Sequence, residues 1–173
     1  NYFWQSTMSY WNSYFSDPEL DWQYRMESEK DVKGNKFFVH PLKDNPFMNV
    51  LYEQLEEITG LPLTDKKHVL DTYLNGQVQG QDGGKHVDTE FLQPWYTVLF
   101  FPTEWDAEWG GSTKFFHANG DLLKEIPVKQ GNIIVFPGNV LHQGTAPTVP
   151  NKMRISLAIK TNLRFDVNPA RKM

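Results

Sequence analysis

The sequence contains no cysteine among its 173 residues. Disulfide bonds, cysteine-ligated zinc and a thiol nucleophile are therefore all excluded. Any metal that the protein binds must be held by histidine, aspartate or glutamate, and the chain has only five histidines. The few histidines therefore become the first residues to consider as metal ligands.

The chain also lacks any hydrophobic run close to the ~18 residues that a membrane span needs. No secretory signal pattern precedes its first predicted strand, and we therefore expect a cytoplasmic protein without membrane contact. Acidic residues outnumber basic ones, which gives a formal net charge of −4 and a pI of about 5.7. A dedicated nucleic-acid binder usually carries a basic face, so nucleic acid is not an expected partner.

The remaining composition is that of a folded domain. Hydrophobic residues make up 39% of the chain and charged residues 22%, values that are typical of globular proteins, while aromatic residues are abundant at 14%. We found no internal repeat, low-complexity tract or linker. We therefore predict one domain over residues 1–173, in which residues 1–66 form a helical or irregular support and residues 67–162 form the core.

The support is rich in aromatic residues. Residues 1–30 are expected to be irregular with one short helix, and residues 16–19 are expected to form either a turn or a helix start, because proline is favoured at a first helical position. A short strand is predicted at residues 37–40. A second helix is predicted over residues 45–59, where apolar residues recur at helical spacing and Gly60 supplies a stop.

From residue 68 onward, short β-rich runs alternate with turn residues. The runs lie at residues 68–74, 96–101, 112–117, 125–128, 133–136 and 154–161. The dipeptide Asn75-Gly76 is a strong turn signal and is expected to end the first run. In total about eight strands, spaced 8–12 residues apart, predict an antiparallel sandwich, barrel or jelly roll.

His86 and Asp88 are the first candidate metal ligands. On an extended strand two residues separated by one position point to the same face, so both side chains would supply ligands to one metal ion. The pattern is also compatible with a plain polar loop. His142, which follows an apolar strand at residues 133–136 and a turn, is a candidate third donor. We expect that strand to be buried on both faces. Two histidines and one carboxylate form the ligand set of non-haem Fe(II) oxygenases.

Arg154 is a candidate anion-binding residue. Ile155, Leu157 and Ile159 occupy one face of the last strand, which places Arg154 on the opposite face among small residues. A guanidinium group there offers a planar fork suited to a carboxylate. The alternative is a surface arginine on an edge strand.

Taken together, these elements resemble the Fe(II)- and 2-oxoglutarate-dependent oxygenase superfamily, and in particular its prolyl hydroxylase branch. The resemblance covers residues 68–162 and rests on the order of the following elements: Tyr73, residues 86–88, the strand at 96–101, residues 105–111, Gly131, Phe136, His142, Arg154 and Ser156.

The resemblance implies a mostly β fold, a double-stranded β-helix or jelly roll with flanking N-terminal helices. It implies Fe(II) as cofactor, 2-oxoglutarate and O₂ as cosubstrates, and ascorbate as a candidate auxiliary cofactor. His86, Asp88 and His142 would hold the iron, Arg154 would bind the distal carboxylate of 2-oxoglutarate with help from Ser156, and Tyr73 would line the pocket.

Two positions depart from the pattern of that branch. Collagen-type enzymes commonly have a lysine at the position of Arg154. The oxygen-sensing enzymes have a cosubstrate-contacting tyrosine where this chain is expected to have Phe100. Because histidine ligands must be neutral, we also expect activity to fall as the pH drops through about 6.5.

The activity that the resemblance implies is hydroxylation of prolyl residues in a peptide or protein, coupled to conversion of 2-oxoglutarate into succinate and carbon dioxide. Three alternatives stay open. One is hydroxylation of a free amino acid or other small molecule. Another is a cupin-like binding protein or a metal-dependent isomerase or hydrolase, and the last is a purely structural jelly roll. The loops at residues 81–84 and 105–111 are expected to select the substrate.

Overall fold

The structure, a computed structural model, describes residues 2–25, 35–43, 45–90 and 95–164. Its two α-helices are α1 (Tyr2–Phe15) and α2 (Met48–Thr59). The strands are β1 (Gln23–Arg25), β2 (Phe37–Pro41), β3 (Val69–Val78), β4 (Trp95–Phe100), β5 (Ser112–Phe116), β6 (Leu122–Pro127), β7 (Ile133–Pro137), β8 (His142–Gly144) and β9 (Met153–Arg164). Within these residues, neither helix is both long and apolar enough to cross a bilayer.

The strands form two antiparallel sheets. The larger sheet has the order β1-β2-β3-β9-β4-β7, and the smaller one has the order β6-β5-β8. Side chains from both sheets pack together between them, namely Leu99, Phe115, Phe136 and Ala158. The predicted fold class, a mostly β jelly roll with N-terminal helices, is confirmed.

The outer face of the larger sheet carries the helices. Strand side chains alternate, so Ile155, Leu157 and Ile159 of β9 point to this face and pack in the same core as Trp11 of α1 and Leu55 of α2. Burial of each such side chain stabilises the fold by roughly 1.5–3 kcal/mol. The opposite face of β9 is thereby left to line the interior between the sheets.

The N-terminal helix differs from the prediction. Helix α1 runs from Tyr2 to Phe15 and is longer and earlier than expected, while Pro18 lies in the turn that follows it, which is the first of the two predicted alternatives. Aromatic residues have modest helix propensity, so the local signals for this helix are weak. The helix is held by tertiary contacts, among them a 2.8 Å hydrogen bond from Trp11 Nε1 to Gln54 Oε1. Residues 26–30 of the predicted segment lie outside the described residues.

The second helix begins later than expected. Helix α2 starts at Met48, because Asn45 Oδ1 accepts a hydrogen bond from the Phe47 amide at 3.0 Å and holds a turn before the helix. It ends at Gly60, which has a φ of 70°, as predicted.

Two predictions about strands were wrong. Strand β3 continues through Asn75 and Gly76 to Val78, because Gly76 packs against Trp22 within the sheet and no turn forms there. Strand β7 is not buried on both faces, since it is the last strand of the larger sheet and Val135 is 39% exposed. The described residues contain nine strands, close to the predicted eight.

Candidate active site

A cavity of about 270 Å³ lies between the two sheets. Alternate residues of β3 and β9 face it, because every second side chain of a strand points to the same side. All six residues that the sequence singled out line this cavity, namely Tyr73, His86, Asp88, His142, Arg154 and Ser156. The side chains come from both sheets and from the segment between β3 and β4.

His86 and His142 are joined through their backbones. Each amide donates to the carbonyl of the other residue, at 3.0 Å and 2.9 Å. His142 begins β8, whereas His86 makes only this isolated bridge and Asp88 lies in a bend. The prediction that residues 86–88 form an extended strand was therefore wrong, although both side chains still face the same cavity.

Asp88 is fixed by a close backbone approach. Its amide donates to the carbonyl of Gly138 at 2.6 Å, and a Cβ atom at position 138 would come within 3.3 Å of Asp88 Cβ. Glycine at this position therefore lets the turn after β7 lie against the carboxylate-bearing segment. The Thr97 hydroxyl of β4 donates to Asp88 Oδ2 at 2.6 Å and orients the carboxylate.

The three side chains His86, Asp88 and His142 have the arrangement of a metal-ligand set. One donor atom from each lies within 4.8 Å of the others, the one such cluster that the described residues contain. His86 Nδ1 lies 3.0 Å from the Gly84 carbonyl, and His142 Nδ1 lies 2.9 Å from the Val140 carbonyl. A carbonyl only accepts, so each Nδ1 carries the proton and each neutral ring presents a bare Nε2 to the cavity. These residues fit a divalent metal.

Burial keeps both imidazoles neutral. It lowers the pKa of His86 to about 4, with the neighbouring His142 acting in the same direction. Burial likewise lowers the pKa of His142. In the metal-free protein the imidazoles therefore protonate below the solvated value of about 6.5 on which the expected pH dependence of activity was based, and that dependence stays a prediction.

Lys160 is a residue of the cavity that the sequence interpretation missed. Its ammonium lies 3.0 Å from Asp88 Oδ1. Burial raises the pKa of the Asp88 carboxyl, but the proximity of His142, the Lys160 ammonium and the hydrogen bond from Thr97 outweigh this effect, and the pKa lies below its usual value. The alternation from Arg154 through Ser156 would have placed Lys160 on the same face.

Arg154 lies at the buried end of the cavity, 2% exposed. Its Nη1 donates to Gln77 Oε1 at 2.6 Å, and its Nη2 donates to Thr113 Oγ1 at 3.1 Å. Ser156 Oγ is a more distant acceptor, 3.4 Å from Nη1. Gln77 was not found from the sequence, because the predicted turn at Asn75-Gly76 cut β3 short of it. Thr113 was also missed, because it reaches Arg154 only through the packing of one sheet on the other.

The guanidinium of Arg154 has no carboxylate within ion-pair distance among the described residues. Its Nε is buried and has no hydrogen-bond partner there. Burial lowers the pKa of Arg154 to about 10, against a raising effect of Asp82. A buried cation without a counter-ion costs several kcal/mol, so this end of the cavity fits an anionic ligand.

Three aromatic residues near the cavity, Tyr73, Phe100 and Phe101, differ in how they lie relative to it. Burial raises the pKa of Tyr73 to about 12, and its ring centroid lies 5.8 Å from Lys160 Nζ. Phe100 was expected at a cosubstrate-contacting position. It is instead fully buried in the core beneath the helices and does not face the cavity. It is Phe101 that lies beside Arg154, with its ring centroid 5.2 Å from the guanidinium carbon.

The two loops expected to contact the substrate lie against the Arg154 end instead. Asp82 Oδ1 accepts from the Ala146 amide at 2.7 Å, and Gly83 donates to the Gly144 carbonyl at 2.9 Å. The loop at residues 105–111 contacts the same segment after β8, since the Thr148 amide donates to the Trp109 carbonyl at 2.8 Å. Gly83 of the first loop lines the cavity, whereas Gly111 of the second lies against Arg154, where a Cβ would come within 3.5 Å of the arginine Cδ; a role of either loop in substrate choice stays a prediction.

His40 and His68 lie outside this site. His40 Nδ1 is 2.9 Å from the Asp21 carbonyl oxygen, and His68 Nδ1 is 2.9 Å from Asn162 Oδ1. Each of these two histidines therefore contacts a polar group outside the cavity.

The interior of this jelly roll holds two histidines, a carboxylate and a buried arginine. This combination is typical of one class of metal-dependent proteins. Residues 71–159, about half of the chain, match the family model described as the 2OG-Fe(II) oxygenase superfamily. The chain belongs to that superfamily. No sequence among the curated proteins matches it.

Solved structures share the fold at low sequence identity. A prolyl-4-hydroxylase of Pseudomonas putida has a TM-score of 0.59 and 12% identity, covering 91% of this chain and 84% of its own. A prolyl hydroxylase of Trichoplax adhaerens, solved with a hypoxia inducible factor peptide fragment, has 0.65 and 8%, covering 91% and 77%. The alpha-ketoglutarate-dependent carbocyclase SnoK from nogalamycin biosynthesis has 0.58 and 12%, covering 92% and 73%. These likenesses show the fold alone.

Proposed function

We propose that the protein is an Fe(II)- and 2-oxoglutarate-dependent dioxygenase that hydroxylates prolyl residues in a peptide or protein. The observation that carries the cosubstrate assignment is Arg154, a buried guanidinium without a carboxylate partner in the described residues, in one cavity with the His86, Asp88 and His142 cluster. Superfamily membership supports the same cofactor and cosubstrates.

In this proposal, Nε2 of His86, the carboxylate of Asp88 and Nε2 of His142 hold the iron. Backbone carbonyls fix the two imidazole rings, and Thr97 fixes the carboxylate. Bound iron and 2-oxoglutarate would supply the oxidising chemistry, with succinate and carbon dioxide as coproducts. Outer partners that orient metal ligands commonly contribute 10- to 100-fold in metal affinity or activity.

Arg154 would bind the distal carboxylate of 2-oxoglutarate through a charge-assisted hydrogen bond. Gln77 and Thr113 hold its guanidinium in one orientation, and Gly144 leaves the space beside it open, since a Cβ there would lie 3.2 Å from Nη1. Leu99 and Ala158 would form an apolar part of the cavity wall beside these polar groups.

The prolyl substrate is the finer part of the proposal. It is supported by the resemblance of the sequence to the prolyl hydroxylase branch and by the fold shared with two prolyl hydroxylases. A second candidate substrate is a free amino acid or small molecule, which the Lys160 cation inside the cavity favours. Ascorbate as an auxiliary cofactor, the cytoplasmic location and the single-domain division stay predictions.

The test is product formation with purified protein, Fe(II), 2-oxoglutarate and O₂. Proline-rich peptides and free L-proline are compared for succinate formation and for a mass gain of one oxygen atom. The proposal expects peptide-dependent succinate with oxidised peptide. Oxidised free L-proline would move the assignment to the second candidate, and no 2-oxoglutarate consumption with any substrate would reject both.

A further inference from the structure

Arg154 lies at the closed end of the cavity, and Lys160 lies at its open end. On β9 the exposure of the cavity-facing residues rises from 2% at Arg154 and Ser156 to 23% for the Lys160 side chain. In the sheet Lys160 is paired with Asp71 of β3 and Thr97 of β4. Both ends of the cavity therefore carry a cation, and a substrate that enters from solvent meets Lys160 first.

The counter-ion of Lys160 is a candidate metal ligand. Its ammonium lies 3.0 Å from Asp88 Oδ1, the one carboxylate within ion-pair distance among the described residues. Asp71, the other carboxylate that lines the cavity, is exposed, and its Oδ1 accepts from the Thr72 amide. When Asp88 holds a divalent metal, its charge is shared with that metal, and Lys160 is left as a second cation beside it.

A charge balance shows what the loaded site lacks. Fe(II), Arg154 and Lys160 bring four positive charges, against one negative charge on Asp88 and two on 2-oxoglutarate. One positive charge is left beside the metal in a largely buried cavity, where an uncompensated ion is costly. The Tyr73 hydroxyl, the other polar neighbour of the ammonium, is a hydrogen-bonding group without a compensating charge at neutral pH.

We propose that the Lys160 ammonium and the Tyr73 hydroxyl form a carboxylate subsite for the substrate, separate from the Arg154 subsite for the cosubstrate. The substrate would then carry a carboxylate group near the carbon that is oxidised, either an acidic side chain next to the target residue or the free carboxylate of an amino acid. This inference rests on the proposed function, because it assumes that Asp88 binds metal and that Arg154 binds 2-oxoglutarate.

The test uses Mn(II) in place of Fe(II), so that no turnover is needed. The protein is loaded with Mn(II) and saturating 2-oxoglutarate, and acetate or acetamide is titrated while the paramagnetic relaxation of the probe methyl protons is followed. Acetate carries the proposed carboxylate and acetamide lacks the charge. The wild-type protein is expected to bind acetate saturably and to bind acetamide at least tenfold more weakly.

Three variants distinguish the subsite from other roles of Lys160. Lys160→Met should weaken acetate binding at least tenfold, the effect of losing a hydrogen bond to a charged group. Lys160→Arg should retain most of it, and Tyr73→Phe should weaken it a few-fold. Lys152→Met is the matched control and should leave it unchanged, because Lys152 lies over the Trp109 ring at 3.8 Å.

The affinities for Mn(II) and for 2-oxoglutarate are measured on the same samples. The inference expects the 2-oxoglutarate affinity of Lys160→Met to stay within about threefold of the wild type. It is overturned if acetate binds the wild type and Lys160→Met equally, if acetate does not bind, or if the variant chiefly loses 2-oxoglutarate. Failure of the wild type to bind 2-oxoglutarate at all would instead reject the proposed function.

Discussion

His86 and His142 exchange both backbone hydrogen bonds, at 3.0 Å and 2.9 Å, although 56 positions separate them in the sequence. This pairing sets their ring centroids 4.2 Å apart. It links the segment after β3 to β8 of the smaller sheet. The position of the metal-ligand cluster is thus determined by backbone pairing between distant parts of the chain, while side-chain contacts orient the donor atoms.

Replacing Asp88 with alanine is expected to remove metal binding. The substitution deletes the carboxylate of the cluster and leaves Lys160 as an uncompensated cation beside it. Mn(II) affinity, measured by calorimetry, should fall by more than the roughly 10- to 100-fold that loss of an outer partner costs. Asp121→Asn, in an exposed turn, is the control. Equal affinity in both variants would remove Asp88 from the site.

Arg154→Met separates cosubstrate binding from folding. The substitution removes a buried charge whose desolvation costs several kcal/mol, which offsets the hydrogen bonds lost to Gln77 and Thr113, so the melting temperature without ligand should change little. The rise in melting temperature that 2-oxoglutarate causes in the Mn(II)-loaded wild type should disappear. The control is Arg164→Met, at the exposed end of β9. A ligand-induced rise that persists in Arg154→Met would place the cosubstrate elsewhere.

Gln77→Leu is expected to affect both stability and ligand binding. The Gln77 amide accepts from Arg154 and donates to the carbonyls of Gln81 and Gly144, at 2.8 and 3.1 Å. Loss of these bonds should destabilise the protein by about 3 kcal/mol in urea unfolding, and 2-oxoglutarate should bind about tenfold more weakly. Gln79→Leu, on the exposed neighbouring position, should do neither. A stable Gln77→Leu protein with normal binding would contradict the orienting role.

The metal-free protein should lose stability between pH 7 and pH 5. The unfolded chain protonates His86 near pH 6.5, whereas burial lowers the folded-state pKa to about 4. Between these values the unfolded state binds more protons, so stability falls as the pH falls, by about 2 kcal/mol for this group at pH 5. Urea unfolding of the wild type and His86→Gln measures the difference. Identical pH slopes in both would contradict the buried, neutral His86, and His117→Gln serves as the exposed control.

The sequence predicted the fold class and placed all six of its candidate residues in one cavity, because strand alternation and the order of motifs are local signals. Residues whose positions depend on tertiary contacts were missed. Gln77 was missed because a turn was expected at Gly76. This glycine instead lies within β3 and packs against Trp22. Phe100 was expected at a cosubstrate-contacting position but lies in the core beneath the helices, since which face of β4 meets the cavity depends on its pairing with β9.

Helix α1 shows the same limit at the level of a whole element. Its aromatic residues carry weak helix propensity, and its position follows from packing of Trp11 and Phe15 in the core with α2. Such a contact between distant segments leaves no periodic mark that distinguishes helix from irregular chain.

The central claim is that His86, Asp88, His142 and Arg154 together hold Fe(II) and 2-oxoglutarate. Anaerobic addition of Fe(II) and then 2-oxoglutarate, followed by visible absorption, tests it most directly. The account predicts a weak charge-transfer band that appears only with both additions and that Asp88→Ala and Arg154→Met reduce or abolish. Absence of the band in the wild type, together with no heat of 2-oxoglutarate binding, would contradict the account.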